Sequence, residues 1–85
     1  MNNNINEKGK EYNTEGQLLF EGEYLNGIRN GKGKEYDHVY DLKFEGEYIN
    51  GKRNGKGKEY DEGKLIFEGE YIKNIRWNGK EMKNT

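Results

Sequence analysis

Short runs along the chain alternate between apolar and charged positions with a period of two. Phe20, Gly22 and Tyr24 fall on one side of an extended chain, and Glu21 and Glu23 fall on the other. This period is typical of a half-buried β-strand. Glycine recurs every few residues, which disfavours helices. We therefore predict an all-β protein. The predicted strands lie near residues 18–24, 31–36, 42–48, 55–60 and 65–71, with short strands towards both termini.

The strand pattern belongs to an internal repeat. Phe-Glu-Gly-Glu-Tyr starts at Phe20, Phe44 and Phe67, so that the unit is 23 or 24 residues long. Gly-Lys-Gly-Lys-Glu-Tyr starts at Gly31 and Gly55. We interpret residues 1–85 as one domain of tandem units. The repeats are expected at approximately 18–36, 42–60 and 65–83, a partial unit at 8–12, and a frayed start at 1–7.

Asn-Gly pairs separate the two strands within a repeat. Asn26-Gly27 and Asn50-Gly51 occupy the same place in successive units, and both residue types tolerate the positive φ of a type I′ turn. The last repeat departs from this pattern, and we expect its loop to be irregular. We interpret Trp77 as an inserted residue that either caps the end of the sheet or lies exposed. Glu81 then replaces the second glycine of the motif.

The parity of the residue numbers assigns side chains to two faces. Any two-residue turn that starts between residues 26 and 28 pairs positions whose numbers have an odd sum. Gly31 and Gly33 then share a face with Phe20, which we call the aromatic face, and leave room for rings to lie across the neighbouring strand. Lys32 and Lys34 share the opposite face with the glutamates. We expect cross-strand pairs of opposite charge there.

The residues available for chemistry are few. The chain has no cysteine and no serine, and its one histidine, His38, lies in a connector between repeats where a solvated turn residue is expected. A Ser/His/Asp or Cys/His nucleophile cannot be assembled from this set, nor can a site with several histidine ligands. The glutamates alternate with the rings and point to the same face as lysines, which does not suit a shielded general acid. We expect no enzymatic activity, no cofactor and no metal site.

The hairpin loops are basic although the net charge is only -1. No acid occurs in segments 25–34, 49–58 and 72–80, which meet at one edge of the sheet if the hairpins align. Such a basic edge can hold an anionic membrane surface or an acidic protein segment. The alternative is that loop tips are simply polar. The lipid-binding candidates on this basic edge are Arg29, Lys32, Lys52, Arg53, Lys56 and Arg76.

The recurring motif resembles the MORN repeat (membrane occupation and recognition nexus) over roughly residues 8 to 82. The positions that match the consensus are Gly22, Tyr24, Asn26, Gly27, Arg29, Gly31 and Gly33 in one unit and Gly46, Tyr48, Asn50, Gly51, Arg53, Gly55 and Gly57 in the next. The resemblance implies a single elongated, twisted antiparallel sheet of tandem β-hairpins, about three repeats long, with a groove on the aromatic face. It also implies a module without catalysis. Similar repeats occur in junctophilins, alsin, plant phosphatidylinositol phosphate kinases and protist cytoskeletal proteins, where they are linked to protein assembly and anionic lipids.

Three functions stay open from the sequence. The first is a scaffold module that binds a protein partner, or a second copy, through the aromatic groove or the ends of the sheet. The second is peripheral binding of phosphoinositide membranes through the basic edge, and the third is a regulatory fragment of a larger enzyme complex. We expect a cytoplasmic location, with association to membrane or cytoskeleton left open, and no nucleic-acid binding because the charges interleave. The candidate groove residues are Phe20, Tyr24, Phe44, Tyr48, Phe67 and Tyr71.

Overall fold

A computed structural model describes residues 5–37 and 41–82, and these form one open antiparallel sheet. Seven strands follow one another in sequence order, so that every strand pairs with its neighbours in the chain. The chain measures 53 × 33 × 14 Å along its principal axes, which corresponds to a single layer. The predicted all-β class and hairpin array are confirmed. The strands are β1 (Asn6–Tyr12), β2 (Leu18–Leu25), β3 (Ile28–Tyr36), β4 (Leu42–Ile49), β5 (Lys52–Asp61), β6 (Lys64–Ile72) and β7 (Ile75–Glu81).

Tight turns of one type join the strands of each hairpin. Asn26 and Gly27 have φ of 52° and 83°, and Asn50 and Gly51 have φ of 51° and 83°, as the type I′ turn requires. In the last hairpin Lys73 and Asn74 take the same conformation, with φ of 47° and 73°. The last turn is therefore regular, contrary to our expectation. We call the edge of the sheet that carries these three turns the turn edge.

The register confirms the assignment of residues to two faces. Leu25 opposes Ile28, whose numbers sum to 53, and Gly22 opposes Gly33, whose numbers sum to 55. The change of register is a bulge around Gly31, which has a φ of 101°. The bulge adds two residues to β3. Because this number is even, the odd-numbered residues of β3 point to the same face of the sheet before and after the bulge.

The strands are longer than the sequence pattern predicted. β3 begins at Ile28 and β5 at Lys52, three residues before the predicted starts, because pairing runs right up to each two-residue turn. β1 begins at Asn6, within the segment that we expected to be frayed. His38 lies outside the described residues.

The last repeat is one residue shorter than its predecessors rather than longer. Gly79 opposes Gly69 as Gly57 opposes Gly46, so Gly79 is the second glycine of the motif. Glu81 opposes Phe67 as Glu59 opposes Phe44, and it is therefore the equivalent of the glutamate before the final tyrosine of the motif. Trp77 is not an insertion, and its side chain is 58% exposed. Of the two alternatives for Trp77, the cap is wrong and the exposed position is confirmed.

The core is a line of aromatic rings on the aromatic face. Five of the rings are buried, and Tyr24 packs against them at the β2 end. Successive rings meet edge to face, with centroids 5.1 to 5.7 Å apart. Each phenylalanine ring lies over glycines of its own and the next strand, where a Cβ atom would collide with it. The order along the line is Tyr24, Phe20, Tyr48, Phe44, Tyr71 and Phe67.

Candidate binding groove

The aromatic face of each hairpin is covered by its own arginine and tyrosine together with a glutamate of the strand before it. The Arg53 guanidinium carbon lies 4.1 Å from the centre of the Phe44 ring. Its Nε and Nη2 donate to the two carboxylate oxygens of Glu35 at 2.9 and 3.0 Å, and the Tyr48 hydroxyl donates to Oε2 of the same carboxylate at 2.6 Å. We call this arrangement the Arg–Glu–Tyr cluster. The equivalent clusters are Arg29, Glu11 and Tyr24 over Phe20, and Arg76, Glu59 and Tyr71 over Phe67.

The cluster at the centre of the sheet is the most shielded. The side chain of Arg53 is 16% exposed, against 36% for Arg76. Burial alone would raise the pKa of Glu35, but the hydrogen bonds from Arg53 and Tyr48 outweigh it, and the net pKa is lowered. Burial and the bond to Glu35 raise the pKa of the Tyr48 hydroxyl. The carboxylate is therefore held ionised between two donors.

The clusters close the surface that we expected to be an open groove. Phe20 and Phe44 are 0% exposed and Tyr48 is 2% exposed. The expectation of an uncovered, ring-lined groove is wrong, because stacked guanidinium groups and their glutamate partners lie over the rings. A role for these rings as partner contacts stays a prediction, and it would require the arginines to move.

An open groove lies instead on the opposite face of the sheet. Each strand contributes one glycine to a row that crosses all seven strands, formed by Gly9, Gly22, Gly33, Gly46, Gly57, Gly69 and Gly79. The side chains on either side of this row point away from the rings and leave bare backbone between them. We call the resulting trough, about 1410 Å³ in volume, the charged groove. It is lined by the glycines of β1 to β6 with Lys8, Lys10, Glu21, Glu23, Lys32, Lys34, Glu45, Glu47, Lys56, Lys58, Glu68 and Glu70.

The sign of the charge alternates from strand to strand along the charged groove. β1, β3 and β5 each place a lysine on both sides of the glycine, and β2, β4 and β6 each place a glutamate on both sides. β7 continues the order with Lys80 on one side and Asn78 on the other. Because neighbouring strands lie about 4.8 Å apart, stripes of opposite charge repeat at that spacing.

The glutamates that β2 and β4 contribute to the charged groove are fixed by neighbouring donors. The Tyr36 hydroxyl donates to Glu21 Oε2 at 2.5 Å, and the backbone N–H of Lys32 donates to Glu23 Oε1 at 2.7 Å. Tyr60 and the N–H of Lys56 repeat these bonds one unit further on. Burial and the bond to Glu21 raise the pKa of Tyr36 to about 12.

The lysines of the charged groove face the glutamates in register but not in close contact. Among the described residues, every ion pair within 4.0 Å involves an arginine of the clusters. The predicted cross-strand pairing is therefore confirmed in register only. The ammonium groups remain available to charges brought by another molecule.

The predicted basic edge is largely absent. The three arginines turn onto the aromatic face, where their guanidinium groups pair with glutamates. Lys32 and Lys56 lie in the charged groove. Lys52 alone of the six candidates stands beside a hairpin turn at the turn edge, together with Lys73. Lipid binding by these residues stays a prediction, but the patch on which it was based is not assembled.

The covering glutamates were missed, although the sequence carries a signal for them. In the parity argument, odd-numbered residues of β3 share the face of Phe20, and both Arg29 and Glu35 are odd-numbered. They therefore had to lie on the aromatic face, opposite Tyr24 and Phe20. A charged residue forced onto a ring-bearing face is a candidate for stacking and ion pairing.

Other kinds of site find no support in the part of the chain that the structure describes. Within residues 5–37 and 41–82 no cluster of three acidic, histidine or cysteine side chains is arranged to hold a metal ion. Nor does any helix with the length and apolar character of a membrane span occur in these residues.

Comparison with known proteins supports the repeat assignment. The MORN repeat family matches residues 20–38 and 44–64, which correspond to β2–β3 and β4–β5 with their connectors. No curated protein and no solved structure gives a significant match to the chain. Each of the two matched units contains an Asn-Gly turn, two glycines of the row and one stacked arginine. Non-catalytic modules of this kind serve interactions, and the chain belongs to the MORN-repeat family.

Proposed function

We propose that this protein is a non-catalytic interaction module that holds a segment of a partner protein in the charged groove. The proposal is supported by one observation: the trough is open, and the lysines that line it have no ion-pair partner within 4.0 Å among the described residues. The carboxylates beside them are already oriented by tyrosine and backbone donors. Such a preorganised polar surface can bind a charged segment at low cost in entropy.

In the proposed module the rings stabilise the sheet from the aromatic face, opposite the charged groove. With its aromatic face closed by the clusters, the layer does not need a second sheet or helix to cover its core. Within residues 5–37 and 41–82, the opposite face is then left open for a partner. A cytoplasmic location, a scaffold role and the possibility of working within a larger complex belong to this same proposal.

Binding of anionic membranes is the less favoured function. The three arginines that would strengthen a basic patch are bound to glutamates. In the charged groove every lysine stripe has a glutamate stripe beside it, which would repel a continuous anionic surface.

Site-specific photocrosslinking tests the proposed groove. A photoreactive residue placed at Lys34 in the charged groove should capture a partner in cells of the source organism. The same residue placed at Lys52 on the turn edge is the matched control and should capture far less of it. Equal capture at both positions, or capture at Lys52 alone, would contradict the proposal.

A further inference from the structure

The spacing of charges in the charged groove defines the kind of partner segment that fits it. We infer that the segment is an α-helix lying across the strands, with acidic and basic residues alternating along one of its faces. This inference rests on the proposed function and names the class of partner for that same groove.

The alternating stripes exclude a partner of uniform charge. A segment that follows the glycine row crosses stripes of lysine and glutamate in turn, from Lys8 and Lys10 to Lys80. A polyanion would meet glutamate on every second strand, and a polycation would meet lysine. Since like charges cost free energy when brought together, the favoured occupant carries both signs in alternation.

The period of the stripes matches a helix. Stripes of the same sign recur every second strand, about 9.6 Å apart. A helix rises 1.5 Å per residue, so residues seven apart on one face are separated by about 10.5 Å. An acidic residue at one position, a basic residue three later and an acidic residue seven later would thus meet lysine, glutamate and lysine strands in order.

An extended segment fits less well. Side chains on one face of a β-strand are about 6.7 Å apart, so alternating charges on it would fall out of phase with stripes about 4.8 Å apart within two or three residues. A strand lying across the sheet also finds no backbone pairing there, because the described strands β2 to β6 are hydrogen-bonded on both sides. Seven strands span about 29 Å, and a helix of three heptads is only slightly longer. Lysine and glutamate side chains are long enough to bridge the difference between the two lengths.

The bare backbone of the groove floor supports the same conclusion. The glycine row places no side chain between the two charged rows on this face, since a Cβ at Gly33 or Gly57 would point towards the rings. A convex helix surface with small residues along the centre of its contact face can settle between the rows. The charged residues of the helix would then reach the lysines and the fixed carboxylates on either side.

Designed peptides test the inference directly. The first probe is an alanine-based peptide of three heptads with glutamate at the first position and lysine at the fourth position of each heptad. The second has the same composition with all glutamates in one half and all lysines in the other. The third keeps the first pattern but carries two prolines on the face away from the charges, which prevent the helix.

Fluorescence anisotropy at low and high salt should rank these peptides. We expect the alternating helix to bind at least tenfold more tightly than the other two, and binding to weaken as salt is added. The protein variant Lys32→Gln with Lys56→Gln should reduce this binding at least tenfold. The matched variant Lys52→Gln with Lys73→Gln removes the same charge from the turn edge and should stay within twofold of the parent.

The outcomes separate the partner class from the proposed function. Equal binding of the proline peptide and the alternating helix, with both sensitive to the groove variant, would overturn the helix and leave the groove as the binding site. Equal binding of the block peptide would overturn the charge pattern. No binding by any peptide would overturn the inference, and the photocrosslinking result would then decide the proposed function alone. Tighter binding to vesicles of phosphatidylcholine and phosphatidylserine than to any peptide would overturn it in favour of an anionic membrane.

Discussion

At the scale of single residues, the arginine of each repeat holds the aromatic face closed. Arg53 stacks on Phe44 and bridges to Glu35, so one side chain joins the core of its own hairpin to the strand before it. Truncation of this residue would uncover a ring and leave a largely shielded carboxylate without two of its hydrogen bonds. The two losses fall on neighbouring repeats, because Phe44 lies in the hairpin of Arg53 and Glu35 in the strand before it.

The central arginine should therefore matter more than the terminal one. We expect Arg53→Ala to lower the free energy of unfolding by about 2 to 3 kcal/mol, somewhat less than the loss for a fully buried pair. Arg76→Ala is the matched control, with a smaller loss because its side chain is 36% exposed against 16% for Arg53. Urea unfolding of the two variants checks the order, and an equal or larger loss at Arg76 would contradict it.

Glycine is required at some positions because a ring leaves no room for a side chain, and at others because the backbone has a positive φ. At Gly33 a Cβ atom would meet Phe20, at 2.6 Å from its Cε1, in the buried core. At Gly27 a Cβ would meet nothing within 4 Å, but the φ of 83° disfavours any L residue.

The two kinds of glycine should respond differently to substitution. We expect Gly33→Ala to lower the free energy of unfolding by about 3 kcal/mol, because the packed ring cannot move aside freely. Gly27→Ala should cost about 1 to 2 kcal/mol from backbone strain alone. Thermal or urea unfolding measures both, and a Gly27→Ala variant less stable than Gly33→Ala would show that the rings have room to move.

At the scale of elements, the last hairpin differs from the others by a deletion. Its turn is regular, yet β7 reaches its glycine one residue sooner than β5 does, and every residue of β7 is exposed. Trp77 stands in the shortened bulge with most of its ring in solvent. The ring therefore has little to contribute to the stability of the sheet.

Replacement of the tryptophan tests whether it caps the sheet. We expect Trp77→Lys to change the free energy of unfolding by no more than about 0.5 kcal/mol, as for ordinary surface positions. Phe67→Ala in the neighbouring strand is the comparison that should lose about 3 kcal/mol or more. A loss above about 2 kcal/mol for Trp77→Lys in urea unfolding would restore the capping role.

The elements and their faces were largely predictable from the sequence, while the open face was not. The alternation around Phe20 and the Asn-Gly turns were enough to predict the strands and their order in the sheet. Both patterns determine structure through residues that are close together in the sequence. The position of the groove depended on where the Arg29 side chain goes after it leaves the backbone. Parity places Arg29 on the aromatic face and makes stacking and ion pairing there foreseeable, but its particular partners, Phe20 and Glu11, are tertiary contacts that parity does not specify. For the same reason the sequence did not decide between a capping and an exposed Trp77, and the structure leaves its side chain 58% exposed.

At the scale of the whole molecule, the clusters link stability to pH. The pKa values of Glu11, Glu35 and Glu59 are lowered in the folded protein by arginine and tyrosine donors, with burial opposing the effect. Their contribution is present above the unfolded value of about 4.3 and is lost as pH falls below it. Tyr24 and Tyr60 have pKa values raised to about 12, so their contribution is present below pH 10 and lost between about pH 10 and 12.

The stability profile should accordingly have a plateau with two declining limbs. We expect urea midpoints to be nearly constant from about pH 5 to 9 and to fall below about pH 4 and above about pH 10. Tyr60→Phe, which removes one of the raised hydroxyls, should make the alkaline decline shallower. Midpoints that rise on acidification below pH 4 would contradict the account of the carboxylates.

The proposed function depends on which surface of the sheet meets the partner. Isothermal titration calorimetry with the protein captured by photocrosslinking measures this most directly, using parent, Lys32→Gln with Lys56→Gln, and Lys52→Gln with Lys73→Gln. We predict that the groove variant binds at least tenfold more weakly than the parent, while the turn-edge variant binds within twofold of it. Unchanged affinity in the groove variant, with the loss in the turn-edge variant instead, would contradict the charged groove as the binding surface.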